Sequence, residues 1–69
     1  MLINCRLISL SEVKYLTSLS RSRIYFLIKQ NTFPSPIKIG ERRVAWVKTD
    51  VSDWIDKKIQ ETKSKGDAF

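Results

Sequence analysis

Two short amphipathic stretches separated by a hydroxyl-rich break, then an alternating run interrupted at Gly40-Glu41-Arg42, then a longer amphipathic stretch predict a mainly α chain with a small β-hairpin, a winged helix-turn-helix. Charge supports the same reading. The segment from Arg21 to Lys48 holds Arg21, Arg23, Lys29, Lys38, Arg42, Arg43 and Lys48 against the single acid Glu41. It therefore carries the whole formal charge of +6, because the flanking acids and bases cancel. Positive charge gathered on one short helix and one hairpin is the footprint of a protein that grips a polyphosphate, DNA first among them.

The first helix is expected to start at Ser9, which with Glu12 has the spacing of a capping box. Leu10, Val13 and Leu16 follow at helical spacing, and Tyr15 and Leu19 are able to extend that stripe. Thr17 and Ser18 weaken the helix, which should end between Leu16 and Ser18. Ser20 is the next N-cap, after the short turn Thr17 to Ser20. Ile24, Leu27 and Ile28 then form the inner face of a second helix, with Arg21, Ser22, Tyr25, Phe26 and Lys29 opposite. Asn31 suits the left-handed residue that closes it. Phe33-Pro34-Ser35-Pro36 cannot be helical, since its prolines remove donors and extend their predecessors.

Ile37 and Ile39 alternate with Lys38, and Val44 and Trp46 with Ala45. This predicts a hairpin turning at Gly40-Glu41-Arg42, with glycine providing the permissive backbone. Ile37, Ile39, Val44 and Trp46 should face the helices and leave Arg42 and Arg43 at an exposed tip, the wing. A third helix should start at Thr49 or Asp50 and run to Thr62, with Val51, Trp54, Ile55 and Ile59 as its stripe. Asp50, Asp53 and Asp56 near its start and Lys57, Lys58 and Lys63 toward its end complement the helix dipole. Residues 1–62 are expected to be the DNA-binding domain, and 63–69 a disordered tail.

Composition excludes several function classes. A chain of 69 residues has little room for a buried catalytic pocket, since its large apolar residues are needed for the core. There is no histidine, so no histidine-dependent triad or histidine-containing metal site, and Cys5 alone makes no structural zinc site. Asp50 and Asp53 are more simply explained by dipole compensation than by a shared cation. No glycine-rich phosphate loop is present. The expectation is no enzyme, no cofactor, no metal and no small-molecule substrate. The unpaired Cys5 suits a reducing, cytoplasmic setting. No apolar run approaches the roughly 20 residues that span a bilayer, and Met1 to Arg6 does not resemble a signal peptide.

The candidate DNA-binding residues fall on two elements. Arg21, Ser22 and Arg23 occupy the first turn of the second helix, the end that meets base edges in a helix-turn-helix. Arg21 and Arg23 are candidate guanine readers, and Ser22 suits a base or a phosphate. Tyr25 has two equal readings, a hydroxyl on a phosphate or a ring covering the core edge. Phe26 has three that the sequence does not rank: a thymine methyl contact, a contact with a second protein, or packing against the wing. Lys29 adds charge on the same face. Arg42 and Arg43 would reach backbone or a minor groove, and Lys38 and Lys48 peripheral phosphates. Trp46 and Trp54 are placed by their periodicity in the core.

The runs Leu19-Ser20-Arg21-Ser22-Arg23-Ile24-Tyr25, Phe33-Pro34-Ser35-Pro36-Ile37-Lys38-Ile39-Gly40 and Arg42-Arg43-Val44-Ala45-Trp46, closed by Val51 and Trp54, resemble the AlpA family of phage-type regulators. The likeness spans Arg6 to Ile59, and the family is related to MerR-like and excisionase winged helix-turn-helix proteins. It implies a small DNA-binding regulator of a prophage or mobile element that controls integrase or excision genes or directs excisive recombination. It also implies DNA contacts from Ser20, Arg21, Ser22 and Tyr25 and from Arg42 and Arg43. Phe26 departs from the basic or polar residue common there, and Asn31 from a usual glycine. The expected partner is double-stranded DNA, with a second copy on repeated sites or an integrase as further partners and no membrane. Two alternatives stay open: an excisionase-like architectural factor, and an interaction module for an acidic protein.

Overall fold

The computed structural model describes residues 6–64. The chain runs β1 (Leu7–Ile8), α1 (Leu10–Thr17), α2 (Arg21–Lys29), β2 (Ile37–Lys38), β3 (Val44–Val47) and α3 (Lys48–Ser64). It is a winged helix-turn-helix: three helices on a small antiparallel sheet of order β1-β3-β2.

Hydroxyl side chains open both helices of the pair. Ser9 Oγ accepts from the Glu12 amide at 3.2 Å, and Ser20 Oγ from the Arg23 amide at 3.1 Å, each satisfying one orphan donor. Between them, Thr17 Oγ1 donates to the Val13 carbonyl at 2.8 Å and accepts from the Leu19 amide at 3.2 Å. Ser18 turns the chain with φ 62°, in the left-handed region. The end of α2 is equally well defined. Asn31 has φ 60°, its amide donates to the Ile28 carbonyl, and the Thr32 amide reaches back to the Leu27 carbonyl. These two bonds are a Schellman closure, with asparagine in the position glycine usually holds.

The core is Ile8, Val13, Ile24, Phe33, Trp46 and Val51, with Leu10, Leu16, Leu19, Leu27, Ile28, Trp54 and Ile55 packed around it. Both tryptophans are tied to the proline-rich linker. Trp46 Nε1 donates to the Pro34 carbonyl at 3.0 Å, and Trp54 Nε1 to the Thr32 carbonyl at 2.6 Å. Phe33 packs edge-on against Trp54 at 4.8 Å between centroids, so the linker is a wall of the core.

Several expectations need correction. Tyr15 is 83% exposed and does not extend the α1 stripe. Of the four hairpin residues expected to face the helices, only Trp46 is buried; Ile37, Ile39 and Val44 are exposed. For Ile37 and Ile39 the cause is register. The Ile39 amide donates to the Arg43 carbonyl, closing a loop of Gly40, Glu41 and Arg42, and Ile37 pairs with Ala45. Paired residues share a face, so Ile37 lies on the side opposite Trp46, the inversion that a single-residue shift produces. Ala45, on the same side as Ile37, is nonetheless buried. Gly40 is not in the left-handed region, and a Cβ there would meet Arg43 Cβ at an ordinary 3.6 Å, so the turn does not require glycine.

β1 was not foreseen. Leu7 pairs with Val47 and Ile8 with Trp46, and the Lys48 amide donates to the Arg6 carbonyl at 2.7 Å. α3 follows β3 without an intervening residue, carries Asp50 in its first turn and Lys63 in its last, and extends through Ser64. The rest of the expected tail, and Cys5, lie outside the described residues. Among the described residues no helix is long and apolar enough to cross a membrane.

Candidate nucleic-acid interface

The inner face of α2 is fixed by Ile24, which is fully buried, and by Leu27 and Ile28 beside it. Helical geometry then forces Arg21, Ser22, Arg23, Phe26 and Lys29 outward, and all five are exposed. The first turn of α2 contains no acid, and among the described residues the ion pair is Lys58 with Glu61. The cations of α2 and of the hairpin are therefore not neutralised by a carboxylate within the described fold. Their charge is directed at solvent.

Aromatic rings hold the two arginines. The Arg21 guanidinium carbon lies 5.5 Å from the Tyr25 centroid, and that of Arg23 lies 5.1 Å from the Phe26 centroid. These are i, i+4 and i, i+3 pairs, neighbours on a helix surface, and such stacking is worth about 0.5–1 kcal/mol at exposed sites. Tyr25 is half-buried, and its ring meets Trp46 edge-on. The core-edge position foreseen for it is thus occupied, with the ring also serving as the plate for Arg21. Ser20 uses its oxygen to cap α2.

The second cluster is the hairpin. Lys38 on β2 and Arg42 and Arg43 around the loop are exposed, whereas Lys48 at the start of α3 is half-buried. Trp46 couples the clusters, since it belongs to β3, which begins immediately after Arg43, and it carries the Tyr25 contact from α2. Charge and periodicity single out the arginines and the aromatics separately, without their pairing. The spacing of Arg21 with Tyr25 and of Arg23 with Phe26 was the available signal.

A helix-turn-helix followed by a cation-tipped hairpin is the architecture of a winged DNA-binding regulator. The family described as prophage CP4-57 regulatory protein (AlpA) matches residues 6–59, and the chain belongs to that family of phage regulatory proteins. It is 38% identical over 63 residues to an uncharacterized protein, ORF88, of enterobacteria phage P4, covering 91% of this chain and 72% of that protein. No solved structure matches.

Proposed function

We propose that this protein is a sequence-specific, double-stranded DNA-binding transcriptional regulator of a prophage or mobile element. It acts in the cytoplasm on the nucleoid. α2 enters the major groove with Arg21, Ser22 and Arg23 at base edges, while Lys29 and the Tyr25 hydroxyl take phosphates. Arg42 and Arg43 lie on the neighbouring backbone or minor groove, with Lys38 beside them. The observation that carries this reading is the set of exposed arginines on α2 and the hairpin with no acidic partner among the described residues. A module of this size covers a small footprint, which favours paired or repeated sites.

Titrating the purified protein against random-sequence duplexes over a range of salt concentrations tests it. Neutralising about four phosphates gives a slope of log K on log salt of roughly −3 to −4. The double variant Arg21→Ala, Arg42→Ala should stay folded and lose most binding. A flat salt response, or normal binding by the double variant, would favour an interaction module for an acidic protein instead. Bending of the bound duplex would assign an architectural role in excision.

A further inference from the structure

Phe26 is the anomaly of the outward face of α2. The residue is 48% exposed, although its surface neighbours three and four positions away are Ser22, Arg23, Lys29 and Gln30, all polar. Aromatic surface left in water carries a free-energy cost that burial against an apolar group would recover. A docking patch for another protein is a contiguous apolar area. On the surface of α2 this ring stands alone among cations and hydrogen-bonding groups, a setting suited to an anionic surface with isolated apolar points. The major groove is such a surface, and its apolar points are the C5 methyl groups of thymine.

The contact with Arg23 adds a second constraint. With its guanidinium carbon 5.1 Å from the Phe26 centroid, Arg23 lies over the ring. Stacking uses the flat face of a guanidinium and leaves its N–H edge free, and that edge matches guanine O6 and N7. Successive bases lie about 3.4 Å apart along the duplex axis, of the same order as the 5.1 Å between guanidinium carbon and ring centroid, so the two stacked groups meet neighbouring base pairs.

We propose that Phe26 and Arg23 form one reading unit for a thymine adjacent to a guanine. The ring covers the thymine methyl, and the guanidinium pairs with the guanine. The inference rests on α2 entering the major groove and adds a specificity determinant to that reading. It also explains an aromatic residue at a position where charge alone would bind DNA without discrimination.

The test uses duplexes selected by the wild-type protein from a random library, with each thymine replaced singly by deoxyuridine, which lacks only the methyl group. For the wild-type protein, one replacement next to a guanine should weaken binding about three- to fivefold, the worth of one buried methyl. The Phe26→Ala variant should fold, bind more weakly, and be indifferent to that replacement. Arg23→Lys, which keeps the charge but loses the planar fork, should lose preference for the adjacent guanine. Uniform tolerance of deoxyuridine by the wild type, or an equal penalty in Phe26→Ala, overturns the proposal. So does wild-type DNA affinity in Phe26→Ala, which would assign the ring to a protein partner. If the wild type selects no duplex at all, the placement of α2 in DNA fails too. Selection followed by deoxyuridine tolerance removes the reading unit alone.

Discussion

The Tyr25 ring meets the indole of Trp46 edge-on, with centroids 6.3 Å apart and planes at 68°. Trp46 is fully buried, so the outermost layer of α2 is braced directly on the centre of the molecule. Tyr25→Phe keeps both the brace and the plate for Arg21, and should change stability by less than about 0.5 kcal/mol. Any loss of DNA affinity in that variant measures the hydroxyl alone. Tyr25→Ala removes ring and brace together and should cost about 2 kcal/mol of stability as well as affinity. Urea melts paired with DNA titrations separate the two effects.

The turn between α1 and α2 holds Ser18 at φ 62° without a glycine. A left-handed conformation costs an ordinary L-residue roughly 1–2 kcal/mol. Ser18→Gly should therefore raise the urea midpoint, reflecting about 0.5–1 kcal/mol of added stability after the entropy glycine adds to the unfolded chain. Asn31→Gly should gain less, because asparagine tolerates this region better.

The wing should accept a side chain at Gly40. Its backbone lies outside the left-handed region and a Cβ would make only an ordinary contact with Arg43. Gly40→Ala should leave the fold intact and add up to about 0.4–1 kcal/mol by restricting the unfolded chain. A lower thermal midpoint for this variant would count against the hairpin geometry described above.

The two indole donors should differ in worth. Trp46→Phe leaves the Pro34 carbonyl unpaired at a part-buried position and shrinks a fully buried side chain, costing about 2–4 kcal/mol. Trp54→Phe frees the Thr32 carbonyl at an exposed position, where water replaces the donor, and should cost about 1 kcal/mol. Chemical denaturation of the two variants orders them.

The helical pair was legible in the sequence because its signals are local. Ser9 and Ser20 cap the helices they precede, and Asn31 closes α2 through bonds to residues within one turn. The sheet was less legible because its signals are not. Leu7-Ile8 is too short to show any period and becomes a strand only when β3 lies alongside it. The alternation in the hairpin identified two strands but not their relative phase, which depends on the number of residues in the loop. Phe33 was hidden by its prolines: they mark irregular backbone without saying whether its side chains are buried.

For the candidate interface, charge pointed to the arginines and periodicity to the side of α2 they occupy. What neither shows is that Tyr25 and Phe26 support those arginines, since one ring reads as core edge and the other as an oddity. Side-chain pairs of that kind depend on rotamers, which the order of residues leaves open.

Because β3 is the middle strand, flanked by partners from the beginning of the described fold and from the hairpin, its arrival decides when assembly of the sheet is complete. During synthesis both members of the helical pair emerge well before Trp46, and until that indole is made they have no floor on which to sit. A nascent chain halted before Val44 would have most of the candidate interface yet no means of holding it rigid, so order in that surface should switch on abruptly once β3 and α3 leave the ribosome.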